Sequence, residues 1–145
     1  MQYSKMLFSH STAYAVRALV WLARKPQRSR WLVGDVANDE GIPQPYLSKV
    51  MGTLKSQGMV TSSRGPHGGY SLAKDPAVIT LREVARLFDG EQPENVCLLA
   101  YGSCRDCSRC PISGLWDSNR IAISQFLDDV TIGTLAGRAG QSASG

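Results

Sequence analysis

Four cysteines, Cys97, Cys104, Cys107 and Cys110, crowd into one short stretch, and the chain holds no others. Pro111 follows the last of them directly. Structural thiols scatter through a core as small hydrophobes, whereas these sit among Gly102, Ser103, Arg105, Asp106, Ser108 and Arg109. The local pattern is Cys-x-x-Cys-x-x-Cys-Pro, with the fourth cysteine upstream across six intervening residues. Short loops of this kind let several thiolates converge on one inorganic core while free backbone N–H groups hydrogen-bond its sulfides, and bacterial ferredoxins hold clusters with a closely similar run ending in Cys-Pro. The leading expectation is therefore a metal site in which all four cysteines ligate an iron-sulfur cluster of two or four irons.

Two other chemistries fit the same residues. A structural zinc ion could take four thiolates, but zinc spacings usually pair two Cys-x-x-Cys knuckles across a longer insert. A thiol-disulfide switch needs no metal and would look the same in sequence. Colour separates a cluster from zinc, since only the former absorbs in the visible. Catalysis is not expected. The chain has two histidines, no His-Glu-x-x-His, no Gly-x-Ser-x-Gly and no pairing of nucleophile with base.

Whether the compartment keeps thiols reduced decides between cluster and disulfide, and the N-terminus shows no long apolar segment before its charges and no small-residue cleavage site. Arg17, Arg24 and Lys25 interrupt the most hydrophobic region, so no stretch approaches the ~20 apolar residues of a membrane span. A soluble cytoplasmic protein is expected. At 145 residues it suits one compact domain, or a small domain with an appended element.

The formal charge of +4 is unevenly placed. Up to residue 75 there are ten Lys and Arg against four Asp and Glu; from residue 76 on there are six against eight. A basic N-terminal half suits a polyanionic partner.

The elements that must position these groups follow from periodicity. Ser11 or Thr12 can cap a first helix through about Ala23, with Ala15, Ala18, Leu19 and Leu22 at helical spacing. After the polar break Lys25 to Arg30, Val33, Val36 and Ala37 form the stripe of a short second helix ending at Gly41. Ile42-Pro43-Gln44-Pro45 starts a third, with Leu47, Val50, Met51 and Leu54 inward and Gly58 closing it. Two short helices joined at a glycine make a helix-turn-helix, which pushes the first side chains of its second helix into a major groove. The outward face carries Pro45, Ser48, Lys49, Gly52 and Ser56, with Gln44 before it and Lys55 near its end. Such donors, acceptors and cations can read base edges and grip phosphates.

Residues 59–72 then alternate in two runs around Gly65, Gly68 and Gly69, the pattern of a β-hairpin. After a helix-turn-helix this reads as a wing, with Arg64 able to enter a minor groove or clamp a phosphate. Its glycines lack the Gly-Lys-Ser/Thr of a nucleotide loop.

At this point the residues carry a resemblance. Tyr14-Ala15-Val16-Arg17-Ala18-Leu19, Pro45-Tyr46-Leu47-Ser48-Lys49-Val50, Arg64-Gly65-Pro66-His67-Gly68-Gly69-Tyr70 and the late cysteine loop together resemble the IscR/NsrR group of winged-helix transcription regulators, over about residues 1–135. The resemblance implies a homodimer that binds palindromic operators on double-stranded DNA. It also implies a cysteine-ligated iron-sulfur cluster that senses cluster supply, nitric oxide or redox state, although some members sense without a cluster. The DNA-contacting set becomes Gln44, Pro45, Tyr46, Ser48, Lys49 and Lys55 on the third helix, with Arg64 and His67 on the wing.

The group's ligand pattern transfers in part. Its three cysteines align with Cys97, Cys104 and Cys110, the first gap being one residue longer than in the group's namesake. Ser113 stands where the namesake has a histidine ligand, and Ala13 where some relatives have an acidic one. Cys107 is an addition and is expected to complete the set. His10, Glu91 and Glu94 are the next candidates.

Thr80-Leu81-Arg82-Glu83 is a capping box that opens a helix running to Asp89-Gly90. After Pro111 a longer helix bears Leu115, Trp116, Ala122, Ile123, Phe126, Leu127 and Val130, a broad apolar face expected to pair with a second subunit. The expected fold is mostly α with a small β-hairpin: a winged helix-turn-helix domain over 1–78, a cysteine loop (91–113) and dimerisation helix within 79–135, and a flexible Gly/Ser/Ala tail from 136 to 145.

Overall fold

The structure is a computed structural model and describes residues 7–27, 29–90, 93–95, 98–99 and 110–142. Helix α1 spans His10–Ala23 and buries Ala15, Ala18, Leu19, Trp21 and Leu22. It starts two residues earlier than a Ser11 cap would allow and three earlier than a Thr12 cap. Ser9 is the N-cap, its Oγ accepting from the Thr12 amide at 3.2 Å. Asp89 Oδ2 also accepts from the Ser9 amide at 3.3 Å and from Thr12 Oγ1 at 2.9 Å. Ser9, Ser11 and Thr12 are all capping residue types, and the Asp89 carboxylate that favours Ser9 comes from a distant helix.

Helices α2 (Val33–Glu40) and α3 (Gln44–Ser56) form the helix-turn-helix. Gly41 sits between them at φ 64, a left-handed conformation that costs other residues energy. Leu47, Val50, Met51 and Leu54 of α3 are buried against α1 and α2 as the spacing predicts. Each large side chain deleted from such a core costs about 2–5 kcal/mol.

The wing is an antiparallel hairpin of β1 (Val60–Ser63) and β2 (Gly69–Leu72), with Val60 opposite Leu72 and Ser63 opposite Gly69. Its base is tied to α3 by the Met59 amide donating to the Leu54 carbonyl at 3.0 Å. A third segment joins it, because Trp31 and Tyr70 exchange both main-chain hydrogen bonds, at 2.9 and 2.7 Å. Gly69 is required there: at φ 138 a Cβ would lie 2.7 Å from the Trp31 carbonyl group.

A 3-10 turn at Pro76–Val78 leads to α4 (Leu81–Asp89), capped by Thr80, whose hydroxyl accepts from the Glu83 amide at 3.2 Å. Helix α5 covers Ser113–Asp129. The composition of 136–145 reads as a flexible tail, but α6 covers Ile132–Ser142 and packs on α1 and the 3-10 turn. Its small residues allow close approach: a Cβ on Gly133 would lie 3.1 Å from the Ala77 backbone. The Ile132 amide donates to the Ile79 carbonyl at 2.8 Å and the Leu81 amide to that of Val130 at 3.0 Å. These bonds lock the α5–α6 junction onto the chain just before α4.

Candidate nucleic-acid interface and cysteine segment

With Leu47, Val50, Met51 and Leu54 turned into the core, geometry leaves Gln44, Pro45, Tyr46, Ser48 and Lys49 exposed on the first turns of α3. Lys55 is exposed as well, seven residues after Ser48 and hence on the same face, about 10 Å along the axis. Arg64 and His67 are exposed at the wing tip, between the ends of β1 and β2. The tip is tightly folded, with Gly65 at φ 105 and the Gly68 amide donating to the Gly65 carbonyl at 2.9 Å. A Cβ on Gly68 would fall 2.4 Å from the Ser63 carbonyl oxygen. Every DNA-contacting candidate thus lies on α3 or the wing tip and is exposed.

Side chains outside that set hold it in place. Tyr46 Oη and Ser11 Oγ share a hydrogen bond at 2.7 Å, and the Tyr46 ring meets Tyr14 edge-on, centroids 5.4 Å apart. Arg17 lies over the Tyr14 ring and pairs with Glu40 at 3.1 Å, linking α1 to the end of α2. Arg30, exposed, donates to Ser63 Oγ, which brings another cation to the residue preceding Arg64. In sequence Arg30 belongs to a polar break, and only the Trp31–Tyr70 pairing carries it to the wing.

Of the cysteines, Cys110 is half-buried just ahead of α5, and Cys97, Cys104 and Cys107 lie outside the described residues, as does Glu91. Among the described residues no cluster of three or more His, Cys, Asp or Glu is placed to hold a metal. His10 sits in the first turn of α1 with its ring 5.8 Å from that of Tyr14.

Glu94 is buried, with Oε1 2.7 Å from Arg82 Nη1. Arg82, only 9 % exposed, also pairs with Asp128 and donates to Ser124 Oγ at 2.8 Å and the Ser124 carbonyl at 3.1 Å. Burial alone would lower its pKa, but the hydrogen bonds to Asp128 and Glu94, and their negative charge, outweigh that and hold it above the ordinary arginine value. One guanidinium on α4 therefore joins the residues before the cysteines to the helix after them. Nothing in the sequence singles out Arg82, because an arginine at the second position of a helix carries no sign of burial.

A short second helix, an exposed polar third helix and a hairpin fixed to its end define a winged helix-turn-helix DNA-binding protein of the transcription-regulator class. Residues 8–138 match the family model described as Rrf2, iron-dependent transcriptional regulator, and the chain belongs to that family. It is 36 % identical over 130 residues to an Aquifex aeolicus protein described as an HTH-type transcriptional regulator, covering 88 % of this chain and 89 % of that one. It is 33 % identical over 122 residues to the HTH-type transcriptional regulator IscR of Vibrio vulnificus, covering 84 % and 72 %. Among solved structures, CymR, the global cysteine regulator of B. subtilis, superposes with a TM-score of 0.74 at 26 % identity, over 94 % of this chain and 98 % of that one.

Proposed function

We propose that the protein binds palindromic operators on double-stranded DNA as a homodimer, through Gln44, Pro45, Tyr46, Ser48, Lys49 and Lys55 of α3 and Arg64 and His67 of the wing. Its operator affinity is set by an iron-sulfur cluster on Cys97, Cys104, Cys107 and Cys110. The observation that carries this reading is the donor set, four thiols in one short polar stretch appended to a winged helix. Four thiolates satisfy a two-iron or four-iron core without a histidine or acidic ligand, which suits a chain with Ser113 and Ala13 at the alternative positions. Bound there, the cluster would supply a redox- and nitric-oxide-sensitive group. The cytoplasm keeps such thiols reduced.

The dimer reading is supported by α5. Leu127 alone of its expected apolar face is fully buried, while Leu115 is 77 % and Phe126 52 % exposed, and Ile121, outside that expected face, is 58 % exposed. Large apolar side chains left in water along one helix suit a second subunit.

Anaerobic purification with iron and sulfide analysis and a visible spectrum tests the cofactor. Stoichiometric iron and sulfide with visible absorption are expected. A colourless zinc protein, or a metal-free one whose DNA affinity follows disulfide formation, overturns the cluster and leaves the DNA-binding reading standing.

A further inference from the structure

We propose that α4 couples the flanks of the cysteine segment to the DNA-reading end of α3, with Asp89, Ser11 and Tyr14 as positioning residues for Tyr46. This coupling rests on the reading of α3 as the recognition helix and of the cysteines as the sensing element. It starts from Arg82 in the first turn of α4, which binds Glu94 on one flank and Asp128 and Ser124 of α5 on the other. Seven residues on, and so on the same side of the helix, Asp89 holds both the Ser9 amide and the fully buried Thr12 hydroxyl. Helix α4 spans nine residues, about 13 Å, and packs along α1. A hydrogen-bonded helix of this length is stiff along its axis, so a shift of Arg82 would be carried to Asp89.

On α1, Ser11 then carries the hydrogen bond to Tyr46, and Tyr14, one turn later, carries the edge-on ring contact. Tyr46 stands in the first turn of α3, where base-reading side chains enter a groove. Polar links and one ring contact therefore connect the cysteine flanks to that turn within one subunit. Hydrogen bonds weaken steeply when misaligned, which lets a small shift at one end change the geometry at the other. Helix α5 offers a competing route, through the dimer. Asp89, Ser11 and Tyr46 do not lie on α5, so substitutions there separate the two.

The test uses the full chain and a duplex selected by the wild type from a random-sequence pool, with a scrambled duplex as the non-specific reference. Binding is measured on protein isolated without oxygen and again after its metal is stripped with ferricyanide and EDTA and the freed thiols are capped by iodoacetamide alkylation. The wild type is expected to change its specific affinity by about tenfold between the two states. Asp89→Asn and Ser11→Ala should each shrink that response to within about threefold, with non-specific affinity and salt slope unchanged, a pattern that general loss of stability would not produce. In a double-mutant cycle, Ser11→Ala and Tyr46→Phe should be non-additive, the pair no worse than the poorer single variant. Ser11 is half-exposed and carries the test by itself should Asp89→Asn fail to fold. Variants that keep the full response, or an additive cycle, overturn the coupling alone. A wild type that binds the selected duplex but ignores stripping and alkylation overturns the sensing reading together with the coupling, and a wild type that selects no duplex overturns the DNA-binding reading itself.

Discussion

The Nη1 of Arg82 and the Oε1 of Glu94 lie 2.7 Å apart, with both side chains almost wholly removed from solvent. Two opposite charges at that depth stabilise each other only while both are present, since either left alone keeps its desolvation cost without its partner.

Arg82→Ala should therefore destabilise the fold by about 3 kcal/mol. Replacing the pair together, as Arg82→Met with Glu94→Leu, should cost clearly less than the single change. Urea denaturation midpoints of the three proteins check this.

Gly69→Ala should displace Trp31 from the wing, because the added carbon would lie 2.7 Å from its carbonyl group. The expected loss is about 1–3 kcal/mol, with helical circular dichroism retained and DNA affinity reduced. Unchanged tryptophan fluorescence and unchanged DNA binding would show that the strand does not move.

Arg64→Ala is expected to weaken specific and non-specific DNA alike without unfolding the protein. The slope of log affinity against log salt should become shallower by about 0.9 for each phosphate that the variant no longer neutralises. Lys49→Ala is expected to behave in the same way if it meets a phosphate, and to weaken only the selected duplex if it meets a base. Titrations at several salt concentrations separate the outcomes.

Phe126→Glu should yield monomers, since pairing would bury an unpaired charge at a cost of several kcal/mol. Phe126 is the cleaner probe than Ile123, which is half-buried within its own chain. Loss of the dimer should also lower DNA affinity, because a monomer grips a single half-site. Sedimentation of a variant that stays dimeric would place the interface elsewhere.

Each Cys→Ser change at positions 97, 104, 107 and 110 is expected to lower iron and sulfide content while the dimer persists. Cys107→Ser is decisive for the fourth ligand. If its visible spectrum and cluster lifetime match the wild type, the ligand lies elsewhere, and His10 or Glu91 is tested next. Glu94 falls back in that order because it already serves Arg82.

Much of the proposed reading surface is legible in the sequence. The stripe of Leu47, Val50, Met51 and Leu54 dictates which side of α3 faces water, so the exposure of Gln44, Ser48 and Lys49 follows from a 3.6-residue period. The hairpin is legible because alternating residues flank glycines that its tip and its pairing require. The true start of α1 and the helical state of residues 136–142 are not, because each depends on a distant partner: Asp89 for the first, α1 and the Ala77 turn for the second.

The sequence by itself determined what is local: helix periods, the turn glycines, the polar outer face of α3 and a stretch of four thiols set among polar residues. Tertiary structure alone decided which polar groups meet. Arg82 with Glu94 and Asp128, Asp89 with Thr12, Ser11 with Tyr46 and Arg30 with Ser63 are pairings between separate elements. Hydrogen bonds and ion pairs carry no periodicity along a chain, and their partners are chosen only once hydrophobic packing has fixed how the helices lie against one another.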